Sequence, residues 1–257
     1  MERIRIINGL DFFGYHLCEE AIARGIEIIL AEDGKLTEEQ EMIKALFARN
    51  SLVSFEEKEA DVTLVNEYER AGKYPGEAVV AGREEGDILL PPLYGPFQPE
   101  DGGFAALISG AEKSVSRFRE WTLSEGKGLV HAGDAAEAVL DLLEMKEKLY
   151  VRITENMPDT WEKGVRFLAD RFEELDWCRE LLEEESDGHG ETEGVGRTEA
   201  NGEKEGGPSD PEGDEQKKNG SDEMKRLVVK VSGRPLEKGL EEQIAWMDKT
   251  GSGRKGG

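Results

Sequence analysis

The chain has 257 residues, of which 57 are acidic and 33 basic, for a formal charge of −24. A surface this acidic argues against binding to a phosphate backbone or an anionic membrane, and leaves a protein partner or a second copy of the chain as the partners to consider. No apolar run approaches the ~20 residues a bilayer crossing needs, no secretory signal precedes the first strand, and Cys18 and Cys178 fit reduced thiols, so the expected location is cytoplasmic.

An apolar run at 3–8 predicts a strand. Helical spacing follows over 12–24, then a second strand at 26–31 that ends in Glu32 and Asp33. Met42, Ile43, Leu46 and Phe47 share one face of a helix over 37–49. Strands are predicted at 51–55, 61–65 and 87–91, and the run EAVVA at 77–81 has the composition of another. A strand at 128–131 leads into a helix over 134–147 carrying Ala136, Val139, Leu140 and Leu143. After a strand at 149–153 comes a helix over 160–182, with Trp161, Val165, Leu168, Phe172 and Leu175 on one stripe. Asp159 and Glu162, just after Pro158, fit a capping box at its start, and Asp134 and Glu137 fit another.

From Glu184 to Met224 there are 14 acidic and 4 basic residues, nine glycines, and no Leu, Ile, Phe, Tyr or Trp. Such a stretch buries too little apolar surface to offset its ordering entropy, and reads as a disordered acidic insert. Beyond it, RLVVKV at 226–231 predicts a strand, and Pro235 opens a last helix with Leu236, Leu240, Ile244 and Met247 on one side. Strands alternating with helices predict an α/β fold, a Rossmann-like and mostly parallel sheet with helices on both faces. The expected organisation is a main domain over 1–183, the insert over 184–224, a strand–helix arm over 225–250 packed on the main domain, and a flexible tail over 251–257.

Four separated stretches resemble, in order, the extended short-chain dehydrogenase/reductase family, the NAD-dependent epimerase and dehydratase group. INGLDFFGYHLCEEAIARGIEI resembles its opening βαβ unit, and LPPLYGPFQPEDGGF its Tyr-Gly-Pro turn. GLVHAGDAAEAVLDLLE resembles the segment leading into a helix over the substrate site, and SGRPLEKGLEEQIAWM the terminal arm. The resemblance implies NAD(P) as the cofactor, held by a glycine loop and by an acid after the second strand. In this chain those positions are Asn8, Gly9, Asp11, Phe12 and Gly14, with Glu32 and Asp33 as the acids.

The departures fall where the chemistry would be. The family's three loop glycines correspond to Asn8, Asp11 and Gly14. Asn8 tolerates left-handed backbone, and Gly14 preserves close helix–strand packing. Asp11 puts a carboxylate at the helix N-terminus, where a phosphate would collect free N–H groups; it is an excellent N-cap and can satisfy those donors itself. The family's acid–base pair is Tyr-xxx-Lys, the lysine helping to lower the tyrosine pKa. Here Tyr15, Tyr68, Tyr74, Tyr94 and Tyr150 are followed four residues on by Glu19, Gly72, Ala78, Gln98 and Thr154. Residues 66–86 are also too few for the family's two crossovers in this region, since one βαβ unit takes about 30 residues. The central region is therefore expected to be reduced, and no catalytic residue is assigned.

Other chemistry is sparse. His16 beside Cys18 and Glu19 lacks a second cluster of ligands, so no metal site is expected. His131 and Asp134 fall at a helix start, where capping is the favoured role, and His189 lies in the acidic insert. The four tryptophans fit helical stripes and so core or interface. Tyr94 and Gly95 sit in a turn at a strand's carboxyl end, where open α/β sheets place ligands; with Leu10 and Asp134 they outline a candidate crevice. The chain reads as a catalytically degenerate protein of this fold that acts by binding or interaction. Two alternatives stay open: a nucleotide or metabolite sensor at that crevice, and an active NAD-dependent epimerase or oxidoreductase with unconventional residues.

Overall fold

A computed structural model of the chain describes residues 1–32, 34–68, 78–110, 113–125, 128–145, 150–155, 157, 159–187, 227–231 and 233–251. Most of the main sheet and of the layer beside it comes from β1 (Arg3–Ile7), α1 (Phe12–Ala23), β2 (Glu27–Ala31), α2 (Glu38–Phe47), β3 (Val53–Ser54), β4 (Val62–Glu67), β5 (Val79–Gly82), β6 (Ile88–Leu89) and β9 (Val151–Glu155). Between β6 and β9 run β7 (Leu93–Tyr94), α3 (Gly103–Ser109), α4 (Val115–Glu125), β8 (Val130–His131) and α5 (Ala132–Glu144). The chain ends with α6 (Thr160–Arg171), α7 (Asp176–Asp187), β10 (Leu227–Val231) and α8 (Leu236–Thr250).

Eight strands pair in the order β10-β9-β6-β5-β4-β1-β2-β3, every pairing parallel. Strand alternation sorts the residues by face. Ile4 and Ile6 are in register with Ile28 and Leu30 on one side and with Val62 and Leu64 on the other, and all six pack into one core that α1, α2 and α5 complete. The alternate residues Arg3 and Arg5 face away. Arg3 pairs with Glu27 at 2.5 Å, Arg5 pairs with Glu57 at 2.9 Å, and Asp61 Oδ2 accepts from the Arg3 backbone N–H at 3.0 Å.

Between β5 and β6 there is no crossover helix. Residues 83–87 alone join these parallel neighbours, where a crossover of a dozen or more residues is the norm. The link is possible because β6 is short and begins beside the end of β5, with Ala81 opposite Ile88. Asp87 ties it down: its N–H donates to Val80 O, and its Oδ2 accepts from Val80 N, each at 2.9 Å. Gly86 (φ 131°) passes so close that a Cβ there would lie 2.7 Å from Val80 O. This is the reduced centre of the fold.

A second core joins α3, α4, α6, α7 and α8 around Trp161, which is fully buried and stacks on Phe104 at 4.9 Å. The indole N–H of Trp161 donates to Thr122 Oγ1 at 3.1 Å. Neither α3 nor α4 was expected. The single helix predicted over 160–182 is two helices: Phe172 adopts extended backbone (φ −127°, ψ 97°), and a short 3-10 turn follows. The corner lets Val165 and Leu168 before it, and Leu175, Cys178 and Leu182 after it, bury in the same core. Asp159 precedes α6 but makes no side-chain cap, because its carboxylate pairs with Lys163 at 2.9 Å. The predicted strand 128–131 shortens to β8 and joins β7 in a separate two-stranded sheet.

Helix α7 runs to Asp187, four residues into the stretch read as insert. The rest of that insert, His189 included, lies outside the described residues. Past it, β10 extends the sheet beside β9, and α8 buries Leu236, Leu240, Ile244 and Met247 in the second core. Among the described residues, no helix is long and apolar enough to cross a membrane.

Candidate functional site

The strand order turns back between β1 and β4, and ligands of open α/β sheets bind at such a switch point. In this chain the protein's own side chains occupy it. Asn8, at the end of β1, takes left-handed backbone (φ 58°). Its Nδ2 donates to Asn66 O at 3.2 Å, and Asn66 Nδ2 returns a bond to Asn8 O at 3.0 Å, so the two strand ends are stapled. Asp11 is the N-cap of α1: Oδ1 accepts from Gly14 N at 2.8 Å and from Asn66 Nδ2 at 2.6 Å. Glu32 turns inward, and its Oε1 accepts from Leu10 N at 2.8 Å. Two loop amides that could meet a phosphate are therefore held by carboxylates.

The packing around the loop is equally tight. A Cβ on Gly14 would sit 2.5 Å from the Gly9 carbonyl, and one on Gly9 would sit 2.4 Å from Leu30 Cδ2. Leu10 and Phe12 are buried, and Phe12 and Phe13 both contact the ring of Tyr68. The Tyr68 hydroxyl accepts from Leu93 N at 2.7 Å, which closes the crevice from the β4 side. Asp33 lies outside the described residues. Proton transfer by a tyrosine needs a lowered phenol pKa, yet burial raises both Tyr15 and Tyr94, with Glu19 adding to the first and Asp134 to the second.

The other predicted residues divide. Tyr94 and Asp134 line a cavity of about 180 Å³ between β8, the end of β9 and the terminal arm. Gly95 stands beside it (φ 141°), where a Cβ would lie 3.0 Å from His131 Nε2. Leu10 belongs to the loop and is not part of the cavity wall. Asp134 does not cap α5 as expected. The N-cap is His131, whose Nδ1 accepts from Gly133 N at 3.1 Å, so the neutral ring carries its proton on Nε2. Asp134 is free of capping because its two oxygens take Arg234, the backbone N–H at 2.9 Å and Nε at 3.1 Å. Arg234 Nη1 also reaches Glu242 Oε2 at 2.5 Å. Gly233 makes the approach possible, since a Cβ there would collide with Asp134 Oδ2.

Two histidines lie behind this network, 5.6 Å apart. Burial pushes His16 down to about 4 despite its Nε2 bond to Pro96 O at 3.0 Å, and burial, with Arg234 and His16 adding, pushes His131 lower still. On the opposite wall, Glu155 ends β9 and receives the Thr160 hydroxyl. Burial, against that bond, raises its carboxyl to about 6. Among the described residues its Oε1 is buried with no hydrogen-bond partner. Glu155, Thr160, Arg234 and Glu242 were missed from sequence, although Arg234 falls within the SGRPLEKGLEE stretch. Among the described residues no group of three His, Cys, Asp or Glu could hold a metal ion.

Neither a family model nor the sequence of a characterised protein matches the chain. Solved structures do match its fold. A dTDP-glucose 4,6-dehydratase from Bacillus anthracis, in complex with NAD, aligns over 97% of each chain with a TM-score of 0.50 and 11% identity. MoeE5 in complex with UDP-glucuronic acid and NAD aligns over 96% of this chain and 99% of its own, at 0.47 and 10%. A UDP-glucose 4-epimerase from Thermotoga maritima aligns over 96% and 99%, at 0.39 and 13%. At these identities the likeness is one of fold: a Rossmann-like α/β architecture of the NAD-dependent epimerase and dehydratase type.

Proposed function

We propose that this chain is a binding protein on an epimerase-type fold, with its dinucleotide crevice closed from within. The observation that carries the reading is the pair of bonds from Leu10 N to Glu32 and from Gly14 N to Asp11. A phosphate brought within ~4 Å of the Asp11 carboxylate, at an effective dielectric of 20, is repelled by about 4 kcal/mol. That figure corresponds to nearly three orders of magnitude in affinity. The Asn8–Asn66 staple and the Tyr68 hydroxyl support the same reading, because a dinucleotide would have to displace both.

The fold's dehydratases and epimerases are solved with NAD or nucleotide sugars, so those ligands are the ones to test. Calorimetric titration with NAD, NADP and UDP-glucose should give no saturating heat, and no NAD(P)-dependent turnover of nucleotide sugars should appear at any protein concentration. Micromolar NAD binding, or a rate proportional to protein, would overturn the proposal and restore the enzyme reading. The cavity beside Tyr94 and Asp134 favours a second, narrower form of it, in which the bound partner is a small molecule.

A further inference from the structure

We infer that the free edge of β10 takes an acidic, extended peptide of a partner protein as an added strand of the main sheet. This rests on the binding-protein reading above and names the class of partner. The edge lies five strands away from β1 and its closed loop.

The backbone supplies the template. At one end of the sheet β3 is only two residues long, and so short an edge offers little to pair with. At the other end β10 is five residues long and pairs with β9 along its whole length. Its outer side has no strand beside it among the described residues. Successive residues of a strand point their N–H and C=O groups alternately to one neighbour and to the other. Leu227 N donates to Tyr150 O at 2.8 Å, so Leu227, Val229 and Val231 bond toward β9. The N–H and C=O groups of Val228 and Lys230 therefore point outward. These four groups match two residues of an antiparallel strand, the orientation that otherwise parallel sheets often accept at an edge.

The side chains set the preference. Leu227 and Val228 are 50% and 55% exposed, one on each face of the edge, and an added strand would cover both. On the face away from the first core, the register sets Arg152 beside Val228, with Lys230 two residues further along β10. Both cations are exposed, and among the described residues neither makes an ion pair, in a chain with 57 acids. The methylenes of a glutamate would cover Val228 while its carboxylate meets these two charges. More distant acids count for little at contact, because charges beyond ~8 Å are largely screened at physiological salt.

A lysine on a sheet edge is also the usual guard against unwanted pairing. Here the guard is selective. Two β10 edges paired about Val229 would set the two Lys230 side chains diagonally across from each other on one face, within about 7–8 Å. Lys230 thus opposes a basic strand or a second copy and admits an acidic one.

The test is a titration of the full chain with three seven-residue peptides in which valine alternates with glutamate, glutamine or lysine. The glutamate peptide should bind saturably and slow hydrogen exchange at the Val228 and Lys230 amides. The glutamine peptide should bind roughly fivefold more weakly, the scale of two exposed ion pairs, and the lysine peptide should not bind. K230E should erase the advantage of glutamate over lysine. Val228→Pro removes an outward N–H and no bond to β9, so it should melt close to its parent and lose the peptide. Equal binding of the three peptides, a silent glutamate titration, or binding without slowed exchange at Val228 and Lys230 would overturn the inference. So would a dimer that Val228→Pro abolishes, which would give the edge to a second copy. The peptide and exchange series use the unaltered protein, so they decide the matter even if Val228→Pro fails to fold. NAD binding would refute the closed crevice and leave this edge standing; a silent glutamate titration would do the reverse.

Discussion

Replacing Asp11 by glycine separates the two roles that the closed crevice gives this residue. As an N-cap alone, its loss to glycine would cost only a few tenths of a kcal/mol. The structure raises that figure, because the same Oδ1 also accepts from Asn66, whose amide is fully buried. A hydrogen bond to a charged acceptor contributes about 1.5–3 kcal/mol, and the Asn66 amide nitrogen would be left with its bond to Asn8 O. Asp11→Gly should therefore destabilise the fold by about 2–3 kcal/mol. At roughly 2–4 °C per kcal/mol for a chain of this size, that is a fall of about 4–12 °C in melting temperature. The same change removes a unit charge worth about 4 kcal/mol against a phosphate, so NAD affinity should rise by at least two orders of magnitude. Thermal melts followed by circular dichroism read the first effect and calorimetric titration the second. A variant that melts like its parent would show that Asp11 is not the keystone of the loop. One that melts lower but binds NAD no better would show that charge is not what closes the crevice.

Ending the chain at Arg226 removes four buried side chains of α8, Leu236, Leu240, Ile244 and Met247; at about 1.5–3 kcal/mol each, the loss rivals a typical stability of 5–15 kcal/mol, and a cooperative melt should disappear. Replacing residues 190–222 by a short Gly-Ser linker should move the melting temperature by only a few degrees, since loop-closure entropy grows logarithmically with length; a collapse of the melt would mean the insert is structural. Stability should also depend on acid: His16 has its folded pKa lowered to about 4 against an ordinary 6.5, so its contribution is fully present above pH 6.5 and is lost as pH falls toward 4, by up to about 3 kcal/mol. Denaturant titrations between pH 7.5 and 4.5 should show that fall, and His16→Gln should reduce it to the part that His131, whose folded pKa is lowered further, contributes in the same direction. Gly164→Ala places a Cβ 2.2 Å from Phe104 Cζ and should cost about 1–3 kcal/mol or more, read by the same titrations; no loss would mean that α3 and α6 are not packed as described.

What the sequence disclosed was whatever depends on near neighbours in the chain. Ile4 and Ile6, or Leu236 to Met247, declare their burial through spacing alone, and both ended in a core. Helix α3 did not announce itself, because Gly103 to Ile108 is buried on every side and has no polar face to give it a period. Helix α6 could not show its corner, since the apolar stripe continues unbroken through Phe172. The site was least legible. Asp134 and Glu137 had the spacing of a capping box, yet the partner that claims Asp134 is Arg234, a hundred residues away. The Asn66 amide that locks Asp11 comes from a different strand, and no local pattern links the two.

The terminal arm has one further consequence, for the order in which the molecule can be made. Strand β10 completes the edge of the sheet beside β9, and α8 closes the second core over Tyr94 and Trp161. Both cores thus wait on residues 227–250, which follow every other described element in chain order. Domains commonly fold from the N-terminus during synthesis. Here neither half can finish until residues 227–250 have been made. Until then the nascent chain carries two open apolar surfaces, and a highly acidic stretch emerges just before the segment that covers them.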